Sequence, residues 1–153
     1  MRILMVCLGN ICRSPLAEGI LKFKVLQRGL NWVVDSAGTG FWHVGDSPDR
    51  RSIAVARQHG IDISDQRARQ FQPADFERFD RILVMDTQNR QDVLRLARHD
   101  GHRAKVQLIL DQLHPGQDRS VPDPYYDDDG FEAVFRMLDA ACEQLLDGFL
   151  ERD

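Results

Sequence analysis

The start of the chain constrains its fold more than any other stretch. Ile3-Leu4-Met5-Val6 is a continuous apolar run of strand length. A run that short, apolar at every position, fits a strand buried on both faces in the middle of a parallel sheet. Ser14-Pro15 then reads as a helix start, with serine as N-cap and proline at the first helical position. Leu16, Ile20 and Phe23 follow at helical spacing. The alternation continues down the chain. Trp32-Val33-Val34 reads as a second strand that ends at Asp35-Ser36-Ala37-Gly38. Ser47-Pro48 opens another helix, and Gly60 fits its stop. Ile82-Leu83-Val84-Met85 is a third strand, followed by a helix near 88–98, and Val106 to Leu110 reads as a fourth strand. Phe131, Val134, Phe135, Leu138, Cys142, Leu145 and Phe149 line one face of a long final helix. Strands alternating with helices predict an α/β fold, a parallel sheet with helices on both faces.

The 153 residues match the size of one domain, and no repeat, linker or low-complexity segment divides them. Residues 1–153 are therefore read as a single domain. Lys and Arg number 20 against 24 Asp and Glu, a net charge of −4. That balance supplies no basic stripe and excludes a nucleic-acid partner. The three cysteines, at 7, 12 and 142, are odd in number and irregular in spacing, unlike a secreted disulfide framework. The N-terminus lacks the pattern of a signal peptide, and no apolar run approaches a membrane span. The reading is a cytoplasmic protein without membrane insertion.

The chemistry gathers in Cys7-Leu8-Gly9-Asn10-Ile11-Cys12-Arg13-Ser14, between the first strand and the first helix. In open parallel sheets, ligands bind beyond the carboxyl ends of the strands. A loop that enters a helix N-terminus presents unpaired N–H groups and the positive end of a dipole, which suits a phosphate. Cys7 and Arg13 sit at opposite ends of this loop and converge on one anion if it curls into a cradle. The planar fork of Arg13 holds two phosphate oxygens at once, which lysine cannot do. The same field favours the thiolate of Cys7. Gly9 lets the backbone approach the ligand, and Asn10 tolerates a left-handed conformation that braces the loop.

Val-Cys-Leu-Gly-Asn-Ile-Cys-Arg-Ser-Pro-Leu-Ala-Glu, residues 6 to 18, resembles the signature loop of low-molecular-weight protein-tyrosine phosphatases. Asp-Pro-Tyr-Tyr at residues 123 to 126 resembles the late motif of that family. Ser36-Ala37-Gly38-Thr39, Trp42-His43-Val44-Gly45 and Met85-Asp86 resemble further segments, so the likeness runs over nearly the whole chain. The resemblance implies a four-stranded parallel sheet with the phosphate-binding loop after the first strand, and one phosphatase domain over 1–153. It implies a double displacement on a phosphotyrosine-containing protein, with inorganic phosphate as product and no cofactor. Cys7 would be the nucleophile and Arg13 the clamp on the transferring phosphoryl group. Asp123 would be general acid and then general base, and Ser14 the donor to the sulfur. Leu8, Gly9, Asn10, Ile11 and Cys12 would complete the phosphate loop. Since few residues precede Cys7, a general acid has to come from downstream, and Pro122 and Pro124 stiffen the loop around Asp123.

Trp42, Tyr125 and Tyr126 are candidate walls of a slot for a flat aryl ring. A deep slot would exclude short phosphoserine. Asp86 has two readings, a brace for Arg13 or the N-cap of the helix after strand three. Cys12 also has two, a partner that traps oxidised Cys7 as a disulfide or a packed thiol. The histidines at 43, 59, 99, 102 and 114 make no metal-ligand spacing, and Asp127-Asp128-Asp129 reads as a solvated run. Three rivals remain. A thiol-dependent arsenate reductase on the same fold would need cysteines in mid-chain, and residues 13 to 141 contain none. Arginine phosphatases of the family carry threonine where Ile11 stands. A catalytically dead phosphotyrosine-binding module would not keep Cys7, Arg13 and Asp123 together.

Overall fold

The computed structural model describes residues 1–151. Four strands, β1 (Arg2–Cys7), β2 (Val33–Gly38), β3 (Arg81–Val84) and β4 (Val106–Leu108), form one sheet in the order β2-β1-β3-β4. Every pairing is parallel, with Cys7 opposite Gly38 and Val6 opposite Val84. The chain lays β1 down first, then β2 on one side and β3 on the other. The strand order therefore reverses at the carboxyl ends of β1 and β3, where an open α/β sheet leaves a crevice. Cys7 ends β1 at that point.

β1 is apolar at every position because both of its faces are covered. Ile3, Met5 and Cys7 pack on one side, and Leu4 and Val6 on the other. The first face carries α1 (Arg13–Gln27), α2 (Arg50–Gln58) and the long last helix α6 (Gly130–Glu151), which presents Phe131, Val134, Leu138, Cys142 and Leu145 to the core. The second face carries the short α3 (Asp75–Arg78), α4 (Thr87–Leu94) and the short α5 (Asp100–Arg103), around Phe76, Phe79 and Val93. Among the described residues, no helix is long and apolar enough to cross a membrane.

Two helix starts differ from the sequence expectation. Ser14 is not the N-cap of α1, which begins at Arg13 with Cys12 before it and no side chain capping its first turn. The Ser14 hydroxyl is engaged by Cys7 and Asn10 instead. Pro15 is tolerated in that first turn, where its missing N–H has no intrahelical partner to lose. The N-cap of α2 is Asp49, not Ser47, and its carboxylate accepts the Arg51 amide at 2.9 Å. Gly60, at φ +80°, follows the last turn of α2 as expected. Strand four stops at Leu108, and Ile109–Gln112 continues as a 3-10 turn. The short helices α3 and α5 lie in segments whose sequence shows no helical periodicity.

Candidate active site

The loop between β1 and α1 forms the floor of a pocket of about 240 Å³ at the reversal of strand order. Cys7, Leu8, Gly9, Ile11, Cys12 and Arg13 line it from below. Trp42, His43, Asp123, Tyr125 and Tyr126 line its sides. Residues from both ends of the chain thus meet over one thiol. Since no side chain caps α1, its first amides remain available at the loop end, where an anion is stabilised.

Asn10 and Ser14 lie beneath this floor, not on it, and both are buried. Asn10 has φ +58°, a left-handed conformation that asparagine tolerates. Its Nδ2 donates to Ser14 Oγ at 2.8 Å and to Ser36 Oγ at 2.9 Å, while its Oδ1 accepts the Arg69 amide at 3.0 Å. An amide nitrogen only donates, so Ser14 accepts from Asn10 and keeps its own proton for another acceptor. That acceptor is Cys7 Sγ, 3.0 Å away. The Asn10 backbone N–H also reaches the same sulfur at 3.3 Å. Two donors therefore point at Cys7. Ser36 passes its proton on to Glu18 Oε1 at 2.6 Å, and Lys22 holds the other oxygen of Glu18. Burial pushes the carboxyl of Glu18 up, and its donors Lys22 and Ser36 oppose that shift.

Arg13 is 2 % exposed and is pinned from one side. Its Nη1 donates to Asp86 Oδ2 at 2.7 Å and to the Val121 carbonyl at 2.9 Å. Its Nη2 lies 3.7 Å from Asp123 Oδ2. Burial works against the charge of Arg13, yet Cys7, Asp86 and Asp123 around it hold its pKa above the ordinary value. Asp86 fills both roles the sequence left open. Its second oxygen accepts the Asn89 amide at 2.7 Å and caps α4. Cys12 is buried, and burial, then Asp49, Cys7 and Asp123 nearby, pushes its thiol up to about 12. It stays a protonated thiol at neutral pH.

The walls differ in support. Trp42 is 64 % exposed and stacks on Phe41 with ring centroids 5.6 Å apart. The absence of a side chain at Gly40 makes this possible, since a Cβ there would lie 1.9 Å from the Trp42 ring. Tyr126 is 94 % exposed and meets Tyr125 edge to face at 4.9 Å. His43, which the sequence marked only as making no metal-ligand spacing, is a wall residue. It occupies the space a side chain on Gly9 would need, 3.1 Å from a Cβ built there, and its Nδ1 lies 3.1 Å from Asp46. Its position beside Trp42 was the one signal in the sequence. Glu18 and Ser36 lie in segments that carry the resemblance, but their contacts with each other and with Asn10, like that of Val121 with Arg13, join residues far apart along the chain and could not be read from spacing.

A cysteine at the end of the central strand, a pinned arginine beside it and a carboxyl on the facing loop define a cysteine-dependent phosphoryl-transfer enzyme of the open α/β class. The chain belongs to the low molecular weight phosphotyrosine protein phosphatase family, whose model matches residues 2–153. A low molecular weight protein-tyrosine-phosphatase of Streptomyces coelicolor is 44 % identical over 150 residues, covering 95 % of this chain and 91 % of its own. A protein tyrosine phosphatase from Entamoeba histolytica superposes with a TM-score of 0.91 at 36 % identity, over 99 % of this chain and 97 % of that one. A Drosophila arginine phosphatase superposes with a TM-score of 0.90 at 35 % identity, over 97 % and 98 %.

Proposed function

We propose that residues 1–153 form one phosphatase domain that hydrolyses aryl phosphate monoesters on phosphotyrosine-containing proteins, with the following division of labour. Cys7 attacks phosphorus through its sulfur, and the bond from phosphorus to the phenolic oxygen breaks. Asp123 gives its proton to that oxygen as the phenol leaves. Arg13 and the loop amides hold the equatorial oxygens, whose charge is greatest in the transition state. A water then attacks the phosphocysteine, Asp123 takes its proton, and the sulfur–phosphorus bond breaks. Inorganic phosphate leaves and the thiolate is restored. The Ser14 proton stabilises that departing sulfur. No step calls for a metal or another cofactor, and no nucleic acid is a partner. The cytoplasm, where thiols stay reduced, suits a free nucleophilic cysteine.

The observation that carries this reading is the 3.0 Å contact from Ser14 Oγ to Cys7 Sγ, oriented by Asn10, in a pocket that also holds Arg13 and Asp123. A merely packed core cysteine needs no such donor. The aromatic walls Trp42, Tyr125 and Tyr126 favour a flat phenyl ring, and the apolar Ile11 on the floor favours it over a guanidinium.

The test is a panel of phosphotyrosine, phosphoserine and phosphoarginine peptides with purified wild type and Cys7→Ser. Turnover of phosphotyrosine by wild type, and none by Cys7→Ser, is the expected result. Preference for phosphoarginine would move the chain to the arginine branch. Full activity in Cys7→Ser would remove the covalent mechanism.

A further inference from the structure

We propose that Arg51 is a positioning residue that ties the loop carrying Asp123 to the phosphate-binding loop and so sets the reach of the general acid. The proposal rests on the phosphatase reading above.

Asp123 sits in a stretch with no helix or strand, so its carboxyl is only as well placed as the loop around it. That loop is held on each side of Asp123 by an arginine. Before it, the Val121 amide donates to the Met85 carbonyl at 2.8 Å, and the Val121 carbonyl accepts from Arg13. After it, the Tyr125 carbonyl accepts from Arg51 Nη2 at 3.0 Å, and Asp128 Oδ1 accepts from Arg51 Nη1 at 2.5 Å. Tyr125 is the junction. Its amide donates to Asp123 Oδ1 at 3.1 Å, while its carbonyl is the group that Arg51 holds. The acid and Arg51 are thus joined through a single residue.

The other end of Arg51 leads to the catalytic floor. Nε and Nη2 grip Asp49 Oδ1 and Oδ2 at 3.0 and 2.9 Å, a bidentate geometry that fixes the plane of the guanidinium. The Asp49 amide donates to the Ile11 carbonyl, within the phosphate loop, at 2.8 Å. The guanidinium also lies over the Phe131 ring at 4.6 Å and near the Tyr125 ring at 5.6 Å. A continuous path therefore runs from Ile11 through Asp49, Arg51 and Tyr125 to Asp123. Exposed ion pairs add little to stability, and Asp128 is well exposed. Such a clamp on an exposed loop acts on where the loop sits more than on whether the chain folds. Lysine cannot reproduce it, because the contacts use separate arms of one planar fork.

The test measures kcat/KM over aryl phosphates whose phenols range from weakly to strongly acidic. Wild type, Arg51→Ala, Arg51→Lys, Asp128→Asn, Asp123→Asn and the double variant Arg51→Ala/Asp123→Asn are compared. A positioned acid contributes on the order of 10²–10⁴, so Arg51→Ala should lose roughly 10- to 100-fold on poor leaving groups and under about 3-fold on the best one. Arg51→Lys should regain only part of the loss. Asp128→Asn keeps the Tyr125 contact, so it should show the same pattern at smaller size; as an exposed change, it carries the test if Arg51→Ala fails to fold. On poor leaving groups the double variant should be no slower than Asp123→Asn alone, since Arg51 acts through that carboxyl. Equal losses across the series, or additive losses in the double variant, overturn the role of Arg51 and leave the phosphatase reading intact. A wild type that turns over no aryl phosphate overturns both.

Discussion

Arg13 and Asp86 meet at 2.7 Å where the strand order reverses, and Asp86 spends only one of its two oxygens on that contact. The other accepts the Asn89 amide and starts α4. One carboxylate therefore orients the guanidinium and caps a helix, and the two tasks respond to different substitutions. Asp86→Asn keeps a good N-cap, because its oxygen can take the amide. Its NH₂ is then left facing Arg13. Stability should change little, and kcat/KM should fall about tenfold as Arg13 loses a charged partner. Asp86→Ala should lose the activity and, in addition, about 1 kcal/mol of stability. Denaturant melts beside steady-state kinetics separate the two effects. A Asp86→Asn variant as unstable as Asp86→Ala would mean the cap contact is not what that oxygen contributes.

The Ser14 proton makes a second prediction about timing. Asn10 fixes its direction toward Cys7 Sγ, so its greatest effect falls when sulfur leaves phosphorus. Ser14→Ala should slow hydrolysis of the phosphocysteine more than its formation. The readout is a rapid burst of phenol followed by a turnover rate reduced on the order of tenfold. The change also leaves a buried Asn10 N–H without its acceptor, at a cost of about 1–3 kcal/mol. Equal slowing of burst and turnover would place the hydroxyl in loop support alone.

The pattern of apolar runs carried the sheet, because β1 is buried on both faces and cannot hide that in its sequence. The floor of the site was legible for the same reason. Cys7 and Arg13 belong to one short local segment, and a motif between a strand and a helix has little freedom in where it lies. The helix starts were less legible. Ser14 and Ser47 both precede proline and have the same local signature, yet Ser14 is drawn off by Cys7, and Asp49 displaces Ser47 by capping Arg51. The parts of Glu18, Ser36, His43 and Arg51 rest on partners remote in sequence, which spacing and propensity cannot report. The acidic run was half legible. It is exposed as expected, but Asp128 is tied to Arg51 and is not simply solvated.

The cysteines make a prediction from pKa. Burial pushes the thiol of Cys142 up to about 12, as it does, with help from neighbouring acids, for Cys12. Cys7 lines the pocket and its sulfur takes two donors, while burial keeps the other two thiols protonated, so iodoacetamide should label Cys7 and spare Cys12 and Cys142 in the folded protein. Inorganic phosphate should protect Cys7. The same shifts set a pH window for stability. Both folded values lie above the ordinary 9.0, so the unfolded chain gives up these protons first as pH rises. Their contribution should be intact below about pH 9 and lost progressively toward 12. Urea midpoints should hold from pH 8 to about 9 and fall above that, less steeply in Cys142→Ala. A flat profile, or early labelling of Cys12, would contradict burial as the controlling factor.

The last prediction concerns charge around the pocket mouth. Asp123, Tyr125 and Tyr126 line the site, and Asp127 to Asp129 follow directly. Their charges are not equivalent. Arg51 offsets Asp128, and Asp127 is engaged in its own turn, where its side chain accepts the Asp129 amide at 3.1 Å. Asp127 and Asp129 still carry negative charge that Arg51 does not offset, in a chain already at −4. Peptides with basic residues beside phosphotyrosine should therefore react faster than those with acidic ones, by roughly 2- to 5-fold for a field of exposed groups. Raising the ionic strength from low to physiological should erase most of that difference, because exposed charges are screened within about 10 Å. Asp129→Asn should narrow the preference. Asp128→Asn should narrow it too, by releasing the positive charge of Arg51 that Asp128 now cancels. The comparison needs kcat/KM for peptides that differ only in flanking charge. A preference for acidic flanks, or one that salt leaves untouched, would mean that contacts other than this field choose the substrate.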